Sequence, residues 1–323
     1  MSRPVVLDLS EIKAATSDID LLERMSTGFI ALSRGQCVIP PVGELIMDGS
    51  DPGEVHIKYG YLRGGDHYVV KIASGFPMNR SRGMQSGNGL MLLFDQATGE
   101  LVTILHDEGY LTDLRTAAAG ALACRALAPS AFETIGVVGT GVQASLQLEH
   151  AARATGCRHS MVWGRNPDRA QDLKSRFDGN DVDIEVEVVS DLETLVSSSG
   201  LIITCTSATC PIIRSEWVRP GTHITCVGSD TPEKQEVETR LLSRADLVVV
   251  DSLEQARLRG EVSHALRDGS LVESRIVEIG RLLTHPDQGR TSEEQVTVAD
   301  LTGVAVQDLM IAEAVIDSIR ESS

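Results

Sequence analysis

Four residues carry the most distinctive chemistry in this chain. Lys58 and Lys71 stand inside apolar runs, in HIKYGY and VVKIAS. A lysine flanked by Val and Ile is directed toward a buried face, where an unpartnered ammonium is costly. Its partner is either an internal Asp or Glu or the carboxylate of a ligand. Arg115, in LTDLRTAAAG, adds a cation suited to holding a carboxylate through two parallel hydrogen bonds. Three such cations converging on one cleft would make an anion site. Asp230, in VGSDTPEK, is the acid of the set. It suits a proton donor or an anchor for a ligand nitrogen, and it also suits an N-cap ahead of Pro232-Glu233. Arg80 and Arg82, in NRSRG, read as a solvated loop, from which one of them could reach the cleft.

A second group has its own spacing. The apolar run Ile135 to Val138 is followed by GTGVQA, a helix-compatible segment to Ala154, and a second apolar run, Ser160 to Trp163, that ends in Gly164-Arg165-Asn166. Strand, glycine turn, helix, strand and polar tip is the βαβ unit that binds a dinucleotide. Gly139 permits the bend, Gly141 lets a pyrophosphate approach, and Ala144 replaces the third glycine. Val142 and Gln143 open a helix whose N-terminus attracts phosphate. An Asp or Glu at the second strand tip would hold a ribose hydroxyl. Arg165, with Asn166 beside it, suits a 2′-phosphate instead, so the expected cofactor is NAD(P), with NADP favoured over NAD. In open parallel sheets ligands sit beyond the carboxyl ends of the strands. That places Thr204, Thr206 and Ser207 after one later strand, and Val227 and Gly228 after another, at the border of the nicotinamide. Thr112, which opens an alanine-rich helix, is grouped with these cofactor-binding residues.

Two kinds of scaffold must position these groups. The first half reads as a mostly antiparallel sheet with a helix on it. Val5 to Leu9 is a strand, followed by a short helix capped by Ser10. A longer helix spans Asp20 to Arg34, with Leu21, Leu22, Met25, Phe29 and Leu32 forming its apolar stripe and Gly35 ending it. Short runs between Glu44 and Ser74 turn at Arg63-Gly64-Gly65-Asp66, and strands at Leu90–Phe94 and Glu100–His106 follow. The helix Thr112–Leu127 leads into an alternating pattern. Strands are expected at Ile135–Val138, Ser160–Trp163, Ile184–Val189, Gly200–Cys205, His223–Val227 and Leu247–Val250. Helices are expected at Val142–Ala154, Pro167–Phe177, Asp191–Ser198 and Glu236–Ser243. Leu253–Leu266 is helical with a break at Gly260, Val272–Leu283 is a helix, and Val296–Val298 is a last strand. A final helix, Ala305–Ile319, is expected to return to the first half. The fold class is therefore α/β: a Rossmann-type doubly wound parallel sheet plus a discontinuous α+β domain. The expected domains are 1–120 with 305–323, for substrate binding and dimerisation, and 121–304, for the dinucleotide.

Composition narrows the function classes. Among 323 residues the formal net charge is −17, which disfavours nucleic acid and anionic membrane surfaces as partners. The six cysteines form no CxxC pair and sit mostly in apolar runs, so buried free thiols are expected. The N-terminal segment lacks the apolar core of a signal peptide, and no run approaches ~18 apolar residues. A cytoplasmic protein is expected. The histidines show no HxH or HExxH spacing, so no catalytic metal is expected, and there is no Gly-x-Ser-x-Gly.

Taken together, VVKIASGFPMNRSRG, GLMLLFDQATGE, LTDLRTAAAGALA, IGVVGTGVQASLQ, VWGRNP, CVGSDTPEKQEVE and VTVADLTGVAVQDL resemble the ornithine cyclodeaminase/mu-crystallin family over almost the whole chain. The resemblance implies a homodimer whose N-terminal sheet domain holds a small amino or imino acid. Lys71 and Arg115 match the family's substrate-carboxylate binders, and Asp230 matches the acid that faces the substrate amine. Lys58 departs from the pattern: cyclodeaminases carry an acid near that position to hold a diamine. A lysine there repels a second ammonium and welcomes a second carboxylate. EVHIKYGYLRG and DEGYLTDLRTAAAG are closer in wording to members assigned to ectoine breakdown than to cyclodeaminases. The expected activity is NAD(P)H-dependent reduction of a small α-imino acid of the ketimine or iminosuccinate type, with Asp230 and Lys71 as catalytic residues. Two alternatives stay open: a cyclodeaminase-type lyase that recycles NAD+ on ornithine or a related diamino acid, and a non-enzymatic NADPH or small-molecule binder of the mu-crystallin kind.

Overall fold

The first helix is capped from two positions earlier than its sequence suggests. In the computed structural model, which describes residues 3–179 and 183–322, Asp8 Oδ1 accepts from the Ser10 amide at 2.8 Å and the Glu11 amide at 3.0 Å. Glu11 Oε2 returns the bond by accepting from the Asp8 amide at 2.9 Å. This reciprocal box makes Asp8 the cap and moves Ser10 inside the helix.

The chain divides into two units, residues 1–115 with 304–323 and residues 116–303. In the first, β1 (Val5–Leu7), α1 (Leu9–Thr16) and α2 (Leu21–Ser33) precede β2 (Cys37–Val38), β3 (Gly43–Met47), β4 (Gly53–Leu62), β5 (His67–Gly75), β6 (Gly87–Asp95) and β7 (Leu101–Leu105). The sheet order is β1-β7-β6-β5-β4-β2, with β3 also on β4. Only β1 joins its neighbour in parallel; the remaining pairs are antiparallel. The β4–β5 hairpin turns at Arg63–Asp66, where Gly64 has φ +77. Alternation then buries Val69 and Lys71 on one face of β5, and Met91 and Leu93 on one face of β6.

The helix α3 (Tyr110–Leu127) carries the chain into the second unit. Its elements are β8 (Ile135–Val138), α4 (Val142–Thr155), β9 (His159–Trp163), α5 (Pro167–Ser175), β10 (Glu185–Val188), α6 (Leu192–Ser198), β11 (Leu201–Thr204), β12 (His223–Cys226), α7 (Thr239–Arg244), β13 (Leu247–Val250), α8 (Leu253–Ala256), α9 (Glu261–Arg267), β14 (Ile276–Glu278), α10 (Ile279–Thr284) and β15 (Thr297–Asp300). The strands form an all-parallel sheet in the order β10-β9-β8-β11-β12-β15-β13-β14. From β8 the chain moves outward through β9 and β10, then returns to the other side of β8 as β11. That reversal is the topological switch point at which such sheets hold ligands. The central strands are buried along their whole length, as apolar runs in parallel sheets are.

Two expectations are corrected in this unit, and the break expected at Gly260 is present. Residues 272–283 do not form one helix: the β-branched Ile276 and Val277 pair with Val248 and Val249 as strand β14, and only α10 is helical beyond it. A free edge of the sheet outweighs helical periodicity there. Residues 253–266 split into α8 and α9 at Gly260, whose φ is +85; a Cβ there would stand 2.5 Å from Asp300 Oδ2. The helix expected from Glu236 starts at Thr239, because Val237 bridges to Ile213 and holds the preceding residues extended.

The last helix, α11 (Ala305–Ser322), belongs to the first unit and packs on β4, β5, β6, α1 and α2. Its approach to α2 needs Gly28, where a Cβ would lie 2.7 Å from Met310 Cγ. An ion pair from Arg24 to Asp317 (2.8 Å) and a hydrogen bond between His67 Nδ1 and Glu313 Oε1 (3.1 Å) fix its outer face. All six cysteines are free thiols, but only Cys124 and Cys226 are buried and Cys210 is exposed, which narrows the expectation of buried thiols. Among the described residues no helix is long and apolar enough to cross a membrane.

Candidate functional site

In the first unit the chemistry gathers under α11. Lys58 and Lys71 are direct Cα partners across the β4–β5 ladder, so their side chains share one face. They are 6% and 2% exposed, and Arg115 is 5% exposed. The internal partner is Asp308, in the first turn of α11, where a helix N-terminus favours negative charge. Asp308 Oδ1 accepts from Lys71 Nζ at 3.0 Å and from Arg115 Nε at 3.1 Å. Two cations thus share one carboxylate oxygen, and Oδ2 of the same group is buried without a hydrogen-bond partner. Gln307 braces the arginine: its Oε1 accepts from the Val304 amide at 2.8 Å and from Arg115 Nη1 at 3.5 Å. Burial, then repulsion from Arg115, pushes the Lys71 ammonium down to about 8, against the pull of Asp308. Asp107 caps the entry to α3, accepting from the Leu111 amide at 2.7 Å, and burial raises its carboxyl above the usual range. Thr112 lies in the first turn of α3, half-buried. An arginine and a lysine on one side of a site have the donors to hold a carboxylate in fixed geometry, and here Asp308 is the carboxylate they hold.

Asp308 and Gln307 were not among the residues singled out from sequence. The available signal was a polar pair inside an otherwise apolar, fully buried helical stretch, VAVQDLMIA.

In the second unit, the glycine turn fits a dinucleotide. Gly139 has φ +137, and a Cβ there would stand 2.9 Å from the Cys205 carbonyl oxygen, so the turn touches the loop after β11. Around Gly141 a Cβ would meet nothing within 4 Å, which leaves a cradle beside the backbone. Gly141 is the N-cap of α4 and no side chain caps that helix, so its first amides face this space together with Val142 and Gln143. Ala144 is fully buried against the sheet, as a substitute for the third glycine must be. At the tip of β9 a Cβ on Gly164 would lie 2.4 Å from Thr140 Cγ2, so that tip packs on the same turn. Arg165 is exposed there. The side chain of Asn166 is engaged as the cap of α5, accepting from the Asp168 and Arg169 amides at 2.9 and 3.3 Å.

The loops after β11 and β12 come together on a residue that sequence reasoning passed over. Thr204 Oγ1, the Thr206 amide and the Gly228 amide all donate to the carboxylate of Glu236, at 2.7, 2.6 and 3.0 Å. Glu236 is fully buried, and burial raises its carboxyl. Val227 is buried and Ser207 exposed. Asp230 is half-exposed and pairs with Lys234 Nζ at 2.6 Å. It caps no helix: residues 231–238 are non-helical and α7 begins at Thr239, which corrects the N-cap reading. Among the described residues no cluster of His, Cys, Asp and Glu is arranged to hold a metal ion.

A model of the ornithine cyclodeaminase/mu-crystallin family matches residues 2–323. A putative dehydrogenase of Rhizobium meliloti is 34% identical over 314 residues, covering 97% of this chain and 94% of that protein. Among solved structures, the Delta(1)-pyrroline-2-carboxylate reductase of Thermococcus litoralis, in complex with NADH and L-proline, is similar with a TM-score of 0.91 and 25% identity, covering 98% of each chain. The iminosuccinate reductase of Paracoccus denitrificans, in complex with NAD+, is similar with a TM-score of 0.87 and 28% identity, covering 99% of this chain and 98% of that one.

Proposed function

The chain belongs to the ornithine cyclodeaminase/mu-crystallin family, and from that premise we propose that this enzyme is a nicotinamide-dependent oxidoreductase that reduces the C=N bond of a small α-imino acid. The observation that carries the reading is the buried pair Lys71 and Arg115 on one oxygen of Asp308. Lys71 and Arg115 hold the substrate α-carboxylate, Arg115 through the guanidinium face turned away from Asp308. NAD(P)H, bound by Gly139, Gly141, Val142, Gln143, Thr112 and the loops at Thr204, Thr206, Ser207, Val227 and Gly228, supplies the hydride. Asp230, or a water that it holds, protonates the substrate nitrogen, which needs an acid within hydrogen-bond reach of that atom. The first unit serves substrate binding and dimerisation, and the second serves the dinucleotide.

Two finer assignments belong to this reading. Lys58, facing Lys71 across the ladder, favours a second carboxylate on the substrate, as in an iminosuccinate-type imine, and disfavours a diamine. Arg165 at the tip of β9 favours NADP over NAD. We assign the enzyme to the cytoplasm as a homodimer, in keeping with its free thiols.

The test is a cofactor-oxidation assay with NADH and NADPH in parallel. The panel is glyoxylate, pyruvate and oxaloacetate with an amine donor, together with cyclic imines. Oxidation of the cofactor with an imino acid is expected. Ammonia release from ornithine without net change in cofactor absorbance would replace this reading with a lyase. Tight NADPH binding with no turnover on the whole panel would replace it with a binding protein.

A further inference from the structure

Glu236 joins two loops beyond the end of a strand ladder. β11 and β12 are already joined by their ladder, which ends with the Val227 amide donating to the Thr204 carbonyl at 2.9 Å. Beyond that point the carboxylate takes over: Oε1 accepts from the Thr206 amide, and Oε2 accepts from Thr204 Oγ1 and the Gly228 amide. The two loops are pressed together here. A Cβ on Gly228 would stand 2.3 Å from the Thr206 carbonyl oxygen and 2.5 Å from Glu236 Oε2.

Glu236 is itself held in place. Its carbonyl accepts from the Ile212 and Ile213 amides at 2.9 and 3.0 Å. Its amide donates to Glu261 Oε1 at 2.7 Å, and the Val237 amide donates to Glu261 Oε2 at 3.2 Å. Asp300, at the end of β15, accepts from the Val262 amide at 2.8 Å. Burial raises the proton affinity of all three carboxyls, and the charge of Glu236 raises that of Glu261 and Asp300 further. Glutamine would avoid its share of that cost. However, all three partners of Glu236 act as donors, and only a carboxylate accepts from all of them. The amide group of a glutamine would face one backbone N–H with another N–H.

We propose that Glu236 is a positioning residue that clasps the loops after β11 and β12, and so sets affinity for the nicotinamide end of the cofactor without affecting its ADP-ribose end. This rests on the reading of the second unit as a nicotinamide-dinucleotide domain. The ADP-ribose half belongs to the glycine turn and the β9 tip, which have no hydrogen bond to Glu236.

The test uses the full chain and calorimetric titration with the reduced cofactor that binds more tightly, NADH or NADPH, and with the matching ADP-ribose. Glu236→Gln should weaken the reduced cofactor about tenfold or more and leave ADP-ribose within about twofold, the effect of one lost charge-assisted hydrogen bond and one unpaired amide. Amide exchange at Thr206 and Gly228 should speed up while exchange in β8 stays slow. Thr204→Val keeps the side-chain shape and removes one donor, and it should weaken the reduced cofactor about threefold to tenfold with ADP-ribose unchanged. It decides the matter if Glu236→Gln does not fold. Equal losses on both ligands, or no loss on either, overturn the clasp. If the unaltered protein binds ADP-ribose and neither reduced cofactor, or binds no nucleotide, the nicotinamide reading fails and the clasp goes with it.

Discussion

Asp308→Asn separates the charge at the anchor of the cation pair from its shape. Asparagine keeps an oxygen to accept from Lys71 Nζ at 3.0 Å and Arg115 Nε at 3.1 Å, but it removes the negative charge. At an effective dielectric of ~20, one unit charge 3 Å from another is worth about 5.5 kcal/mol, or about four pKa units. The retained acceptor and local relaxation reduce that figure. Half of it, about two units, takes Lys71 from about 8 to about 6. The sign follows from the charge: without Asp308 the ammonium form loses its attraction while burial and Arg115 still oppose it. At pH 7 the protonated fraction of Lys71 then falls from about nine-tenths to about one-tenth. Carboxylate binding should weaken by nearly the same factor. At about pH 5 Lys71 is charged in both proteins. The variant, relieved of a competing carboxylate, should there bind an added carboxylate at least as well. The assay is calorimetric titration with succinate from about pH 5 to about pH 9, with thermal melting as a check on the fold. A crossover is expected, with the alkaline limb moved down by about two units. An alkaline limb that stays near pH 8 in a folded variant would refute the reasoning. So would a variant weaker at every pH, because that outcome describes lost packing.

Three more perturbations bear on the proposed roles. Lys58→Ala should cost a dicarboxylic substrate about tenfold more in kcat/KM than a monocarboxylic one, the worth of one desolvated charge pair; equal losses would remove the second-carboxylate assignment. Arg165→Ala should weaken NADPH about tenfold and leave NADH nearly unchanged, since only the 2′-phosphate uses the guanidinium; a parallel loss in both would show that Arg165 serves the adenine or nothing. Asp230→Asn should lower kcat about a hundredfold or more with a small change in KM, as loss of a general acid does; a variant that loses only KM would recast Asp230 as a binding residue.

What could be read in the chain was local. Apolar runs located β8, β9, β11, β12 and β13, and they are nearly continuous in β8, β11 and β13, which are buried on both faces. The spacing of Gly139, Gly141 and Ala144 marked the strand-to-helix turn, since a positive φ at Gly139 and an uncapped helix start are properties of a few adjacent residues. The apolar neighbours of Lys71 indicated its burial. Where two local signals competed, sequence misled. Ile276 and Val277 carry a helical period but join a sheet edge, and Asp8 caps the helix two positions ahead of Ser10, whose own amide and hydroxyl donate to it. The partners were not legible at all. Lys71 meets Asp308 across 237 residues, and Glu236 meets Thr204 across 32. Nothing in either segment names the other. Which carboxylate answers a buried lysine, and which glutamate holds two strand ends together, depends on how α11 returns to its sheet and how the segment before α7 turns under β11 and β12. A residue type determines that burial must be compensated; only the tertiary structure decides by what.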